Sequence, residues 1–262
     1  MKILFLGDIV ARAGRDTVKK VLPNVIKEHS PDFIIGNVEN LSHGNGFTPR
    51  ALEEMEEAGI DFFTSGDHAW GGKAGSESIA SEDFPVIRPA NVPPEVPGIG
   101  YFVAKSKQGH KILVINLVGR VFMKKNYDCP FRTVDKILKK FAKEKLDAIF
   151  VDLHAEATSE KYAMGFYLDG RISALVGTHT HVATADARIL ENGTAFMCDV
   201  GMTGSLDSVI GVRKDLIITS FLTQMAVKHE PETDGKMIFN GCLIEIENKN
   251  KAKKITHIQK IL

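Results

Sequence analysis

The chain has 262 residues, 44% of them hydrophobic and 25% charged, and its 33 basic and 33 acidic side chains balance to a formal net charge of zero. That length and composition describe a globular chain built as one large domain. The neutral balance argues against a broad nucleic-acid surface, which needs a basic excess, but leaves room for a small phosphate-bearing substrate.

Met1 to Leu6 is apolar, yet Gly7 and Asp8 cut the run far short of a signal or membrane-spanning segment, and nothing later approaches one. A cytoplasmic protein with no membrane partner is expected. Lys2–Leu6 predicts a first strand, followed by a helix over about Arg15–His29 and a second strand at Phe33–Ile35. Pro49–Ala58 is predicted helical, with Pro49 in its first turn and Gly59 ending it, and Asp61–Thr64 is a third strand. Beyond a Pro-rich loop from Pro89 to Pro97, Tyr101–Ala104 and Lys111–Leu117 form a hairpin around Gly109, and Arg132–Lys145 has helical spacing. Strands at Ala148–Val151 and Ser173–Val176 flank a helix over about Ser159–Leu168. Ala187–Leu190 and Thr194–Met197 flank the turn pair Asn192-Gly193, a hairpin signal. A helix near Leu216–Val227 and strands at Lys236–Ile246 and Lys254–Ile261 complete the series.

Strands alternating with amphipathic stretches are the pattern of a layered α/β domain. No linker or repeat divides residues 1–262, so a single domain is expected, and Lys249–Lys254 is a solvated charged turn. Cys129, Cys198 and Cys242 are scattered and odd in number, which fits reduced thiols packed as small hydrophobes.

The polar residues fall at strand ends. Asp8 follows the first strand, Glu39-Asn40 the second and Asp67-His68 the third; His154 and then His179-Thr180-His181 follow later ones. In open α/β sheets, ligands collect beyond the carboxyl ends of strands. Singly, each group has a bland explanation: Asp8 as a turn residue or helix cap, Glu39-Asn40 as solvated, His154 as a hydrogen-bonded core histidine. An i, i+2 histidine pair on an extended segment would point both rings to one face, a geometry suited to chelation. Together the groups converge on one site. Carboxylates, a carboxamide and imidazoles without a thiolate suit Mn, Fe, Zn or Co. Seven such groups are enough for two ions sharing a bridging carboxylate. Such a pair, ~3.5–4 Å apart, binds a hydroxide between the ions and clamps an in-line phosphoryl displacement.

These residues lie in a longer string of segments: Gly7-Asp8, Gly36-Asn-Val-Glu-Asn40 with His43-Gly44, Ser65-Gly-Asp-His-Ala-Trp70, Asn116-Leu-Val-Gly-Arg120, Val151-Asp-Leu-His-Ala-Glu-Ala-Thr-Ser-Glu160, Leu168-Asp-Gly-Arg171, Gly177-Thr-His-Thr-His181, Thr184-Ala-Asp-Ala-Arg188 and Asp199-Val-Gly-Met-Thr-Gly204. Running almost end to end, the string closely resembles the YmdB-like branch of the calcineurin-like metallophosphoesterase superfamily. The resemblance implies a four-layer α/β/β/α sandwich and hydrolysis of small phosphodiesters, with cyclic nucleotides such as 2′,3′-cyclic AMP as substrates. It implies two divalent or mixed-valence ions per chain, iron or manganese before zinc or cobalt. One ion would take Asp8, Glu39, Asn40 and His181, and the other Glu39, Asp67, His154 and His179. His68 would be the general acid for the leaving alkoxide, a role suited to a near-neutral pKa.

One departure stands out: the family pattern has Asn where this chain has Asp67. With two divalent ions, Asp8, Glu39 and a bridging hydroxide, a neutral Asn leaves about +1, whereas Asp67 brings the sum to about zero. The alternative to a phosphodiesterase is therefore a metal-binding regulatory protein with little turnover. Glu156 and Thr158 are expected to orient His154 or to cap the following helix, Asp199–Gly204 to form a site rim or an oligomer contact, His43 to touch substrate or to be a surface loop histidine, and Arg12 and Arg120 to clamp phosphate. His29, His110, His229 and His257 are expected at the surface. The expected partners are a small phosphodiester or cyclic nucleotide and, in a homo-oligomer, further copies of the chain; no extended nucleic acid is expected.

Overall fold

A computed structural model of the chain describes residues 1–71, 75, 77, 79–80 and 84–262. Two sheets lie face to face. In the first, β1 (Lys2–Leu6), β2 (Phe33–Asn37) and β3 (Phe62–Thr64) run parallel. β11 (Met237–Asn248) pairs antiparallel with β1, with β12 (Lys251–Ile261) and, at its start, with the short β10 (Gly204–Ser205). The second sheet has the order β4-β5-β6-β7-β9-β8. Its centre, β5 (Lys111–Val118), β6 (Ala148–His154), β7 (Ala174–Thr178) and β9 (Ala195–Met197), is parallel, and the edges β4 (Tyr101–Lys105) and β8 (Arg188–Ile189) are antiparallel.

The period-2 alternation of strand side chains sorts the apolar residues into layers. On β1, Ile3 and Phe5 face the second sheet, while Leu4 and Leu6 face α1 (Ala11–His29) and α2 (Pro49–Glu57). On β6, Ala148 and Phe150 face the first sheet, while Ile149, Val151 and Leu153 face α3 (Pro130–Lys140) and α4 (Thr158–Leu168). The result is the expected α/β/β/α sandwich. At its centre the rings of Phe5 and Phe150 lie 5.0 Å apart, one from each sheet. Cys242 packs in this inter-sheet core and Cys198 beneath α4, as reduced thiols would. Among the described residues, no helix is long and apolar enough to cross a membrane.

The elements follow the sequence expectations with shifted ends. Helix α1 begins at Ala11 instead of near Arg15, because its entry is fixed from far away: Val10 N–H donates to Thr203 O (2.9 Å) and Ala11 N–H to Asn40 O (2.8 Å). Helix α3 stops at Lys140, short of Lys145, and β6 and β7 run on to His154 and Thr178. Helix α5 (Lys214–Thr223) stops short of Val227 and buries none of its residues.

Phe150→Ala opens a cavity between the sheets and is expected to lower unfolding stability by about 3–5 kcal/mol, measured by chemical denaturation. A loss below about 1 kcal/mol would show that this contact does not hold the layers together.

Candidate metal centre

The parallel strands of both sheets deliver their carboxyl ends to one place. Beneath it lies the fully buried carboxylate of Asp152, on β6. From the first sheet it accepts hydrogen bonds from Asn37 Nδ2 (2.9 Å) and Thr64 Oγ1 (2.6 Å), and from the second it accepts one from Thr178 Oγ1 (2.8 Å). Burial pushes this carboxyl up to about 6, against the lowering pull of Thr64 and of His154.

Above it, Glu39, Asp67, His154 and His179 offer ligand atoms that all lie within 4.8 Å of one another. Glu39 is buried, with Oε2 3.0 Å from His154 Nε2 and Oε1 accepting from Asn40 Nδ2 at 3.0 Å. Asp67 Oδ1 lies 3.4 Å from His154 Nε2. Asp8, Asn40 and His181 form an adjoining group on the other side of Glu39. His181 Nε2 is 3.1 Å from Asn40 Nδ2 and 3.8 Å from Asp8 Oδ1. The carboxamide of Asn40 turns its nitrogen toward Glu39 and His181; a half-turn exchanges it with the oxygen that a cation would need. All seven expected ligands are thus gathered, with Glu39 between the two groups.

Each imidazole is fixed by a second contact. Thr178 Oγ1 donates to Asp152, so it accepts from His154 Nδ1–H at 2.9 Å, leaving Nε2 to face Glu39 and Asp67. His181 Nδ1–H donates to Ile210 O (2.8 Å), leaving Nε2 toward Asp8 and Asn40. His179 Nε2 meets Glu156 at 3.2 Å, leaving Nδ1 2.9 Å from His154 Nε2. Such outer contacts set which nitrogen is free to ligate. Glu156 therefore orients His179, and Thr178 takes the role expected of Glu156 or Thr158 at His154.

The donor set fits a cation. Two ring nitrogens face each other across a gap that only a shared proton or a positive ion can fill. Among the described residues, Asp8 Oδ1 and Asp67 Oδ1 are buried without a hydrogen-bond partner, which is costly unless a cation answers them. Burial would lower His154, but Glu39, Asp67 and Asp8 hold it well above its usual value; burial would raise Glu39, but His154 and His68 hold it well below. A proton on His154 thus answers the negative groups, and a divalent ion would displace it, as metal ligation requires.

The His179–His181 pair does not converge as an extended segment would. β7 ends at Thr178, and both histidines have left-handed backbones, with φ of 95° and 65°. Such conformations persist only where the surroundings over-determine them. Here His179 N–H donates to Asp8 Oδ2 (3.1 Å), and Thr180 N–H to Asp199 Oδ2 (3.1 Å). Asp199 is buried against Lys161, whose Nζ donates to it at 2.7 Å and to Thr178 O at 2.8 Å. Asp199–Gly204 is accordingly an internal brace rather than a rim or an exposed contact. Close packing also explains Gly66: a Cβ there would fall 2.0 Å from Glu39 Oε2 and 2.5 Å from His154 Nε2.

His68 is a third exposed, and its Nδ1 lies 3.3 Å from both Glu39 Oε1 and Asn40 Oδ1. The hydrogen bond to Glu39 raises it above its usual value against burial. Sequence reasoning missed Tyr127, whose buried hydroxyl has no partner among the described residues and is pushed up by burial and by the charges of Asp67 and Glu39. Arg120 points to solvent, its backbone N–H donating to Glu160 (2.9 Å). Of the histidines expected at the surface, His229 is exposed and His257 is half-buried on β12.

Residues 4–258 match the family described as YmdB-like protein. A Bacillus subtilis relative named 2′,3′-cyclic-nucleotide 2′-phosphodiesterase is 43% identical over 263 residues, covering 100% of this chain and 97% of its own. The crystal structure of a phosphatase from Mycoplasma pneumoniae superposes with a TM-score of 0.91 at 31% identity, covering 100% of this chain and 93% of that one. The Haemophilus influenzae NAD nucleotidase superposes with a TM-score of 0.61 at 14% identity, covering 100% of this chain and 56% of that one, a likeness of fold alone.

Thr178→Val removes the acceptor that fixes the His154 ring. It is expected to weaken divalent-metal affinity about 10–100-fold, read by dialysis against graded chelator, with an unchanged circular-dichroism spectrum. Unaltered affinity would show that the ring needs no such support.

Proposed function

The chain belongs to the YmdB-like protein family, and on that premise we propose that it is a phosphodiesterase acting on small phosphodiesters, cyclic nucleotides such as 2′,3′-cyclic AMP among them. In this reading two divalent ions, iron or manganese by preference, are held by Asp8, Glu39, Asn40 and His181 on one side and by Glu39, Asp67, His154 and His179 on the other. The observation that carries it is the buried Glu39 carboxylate, in contact with Asn40, His68 and His154 between two groups of ligand atoms. When bound, such ions supply Lewis-acid charge against the phosphate oxygens and make water a competent nucleophile near neutral pH. A cytoplasmic site of action suits the free thiols of Cys129, Cys198 and Cys242.

The chain's own contribution to leaving-group departure is assigned to His68. Glu39 and Asn40 engage its Nδ1 and stabilise the protonated ring, leaving Nε2 to give a proton to the departing alkoxide. The rigid ligand cluster holds the reacting phosphate in place, and burial of Glu39, Asp8 and His154 keeps bulk water from screening the site's charges.

A second reading, a metal-binding regulator with little turnover, is favoured by Asp67 alone. Its carboxylate removes one positive charge from the site, and among the described residues no lysine or arginine pairs with it.

Turnover of 2′,3′-cyclic AMP and of bis(p-nitrophenyl) phosphate by the manganese-loaded protein tests the proposal; no turnover of either would overturn it. In the same assay His68→Ala is expected to keep its metal yet slow the cyclic nucleotide ~10²–10⁴-fold. The loss should be smaller for the aryl ester, whose leaving group needs less protonation, and equal losses would exclude the general-acid role.

Asp67→Asn restores a positive charge to the centre. It is expected to raise turnover and move the acidic limb of the pH–rate profile downward, because a more positive site makes water more acidic. Full metal content with lower activity at every pH would refute this.

A further inference from the structure

Beside the metal centre lies a cavity of about 640 Å³, within the range of small-molecule sites. Its lining gathers Arg12, Arg15, Lys19 and Arg50, with His43 at the loop that leaves Asn40, against two carboxylates, Asp16 and Glu54. In a chain with no net charge this is a local concentration of cations. Their pairing is uneven. Arg15 is locked into the wall, donating to Glu54 Oε2 (3.0 Å) and to Leu41 O (2.6 Å). Lys19 lies 2.9 Å from Asp16 and 3.5 Å from Glu54. Arg12 and Arg50 stand at the mouth with side chains 79% and 90% exposed, tied to Asp16 and Glu54 at 3.4 and 3.8 Å. Exposed pairs of this kind contribute little and exchange readily for a better anion.

The walls of this cavity continue those of the metal centre. On one side Ala11 N–H donates to Asn40 O (2.8 Å), and the chain runs from Asn40 through Leu41, held by Arg15, to Ser42 and His43. On the other, Pro231 lines the cavity and bridges to Val212, in the same loop as Ile210, whose carbonyl holds His181. The cavity and the candidate metal centre thus share two wall segments.

We propose that this cavity is a subsite for a second, non-reacting phosphate of the substrate, so that the preferred substrates are 5′-phosphorylated nucleosides ending in a 2′,3′-cyclic phosphate. Arginine suits this role because its planar fork takes two phosphate oxygens at once. One extra phosphate is also the scale that the charge allows, since two exposed guanidinium groups match a dianion. Cyclic ends of this kind arise when a ribose 2′-hydroxyl attacks the adjacent phosphodiester and expels the next nucleotide. The leaving group is a 5′-hydroxyl, so such a cleavage supplies the substrate only from the first nucleotide of a strand that already carries a 5′-phosphate. Hydrolysis of its 2′ ester consumes one water and leaves a 3′,5′-bisphosphate. The inference rests on the phosphodiesterase reading for its substrate and on the cavity alone for its anion.

The test compares adenosine 2′,3′-cyclic phosphate with its 5′-phosphorylated form on the manganese-loaded protein, together with calorimetric binding of adenosine 3′-phosphate and adenosine 3′,5′-bisphosphate. The 5′-phosphate is expected to lower KM and to tighten product binding about 10–100-fold, the scale of one or two charge-assisted contacts. Arg12→Ala with Arg50→Ala should erase both advantages, whereas Lys107→Ala, a cation outside the cavity, should keep them. Equal KM and equal affinity with and without the 5′-phosphate would overturn the subsite while leaving the phosphodiesterase reading intact. If neither cyclic ester is turned over, the phosphodiesterase reading fails, and the bisphosphate preference in calorimetry still decides whether the cavity holds the anion.

Discussion

The site depends on one buried carboxylate that the two sheets share. Asp152 takes Asn37 and Thr64 from the first sheet and Thr178 from the second, and Thr178 passes the constraint on to the His154 ring. A carboxylate in an apolar core costs several kcal/mol unless its lone pairs are answered. Here three donors answer it, and each comes from a strand that also carries a candidate ligand or leads directly to one. The sheets therefore cannot slide past one another without exposing that charge to an unpaired state, and the ligands are held in register by the same condition.

Such a frame accepts electrostatic tension above it. Asp8, Glu39 and Asp67 crowd around His154, and among the described residues one buried oxygen each of Asp8 and Asp67 has no hydrogen-bond partner. The histidine loop adds backbone strain at His179 and His181, held by the buried Lys161–Asp199 pair. Neither feature stabilises the fold by itself. Both become favourable when a cation draws on the orphaned oxygens and free ring nitrogens, so stability given up locally is recovered on binding.

The strand–helix order, the hairpins and the gathering of polar side chains at strand ends were legible in the sequence because each rests on local pattern: period-2 alternation, turn pairs, polar residues where apolar runs stop. What escaped was set by distant partners. Asp152 sits inside an apolar strand and looks like an interruption until Asn37 and Thr64 arrive from the other sheet. Lys161 lies on a helix whose other polar residues are mostly solvated, and its distant partners Asp199 and Thr178 explain its burial. The histidine pair was read as chelating for a pleated-strand reason, whereas both residues lie beyond the strand in left-handed conformations and face different neighbours, His179 toward His154 and His181 toward Asn40 and Asp8. Tyr127 left no signal, since its chain neighbours say nothing of the Asp67 and Glu39 charges that reach it.

Metal retention and substrate choice are separated in the architecture. The ligand atoms sit on or just beyond strand ends, largely buried, where rearrangement would break the inter-sheet network. His68 stands half-buried at the edge of the site, and Arg12 and Arg50 stand on the open faces of α1 and α2, where substitutions cost little stability. A fold divided in this way can keep its metal chemistry constant while the cations at the cavity mouth vary. The charge of a preferred substrate is then set by a few solvent-facing side chains, and the buried centre is left to answer only the reacting phosphate.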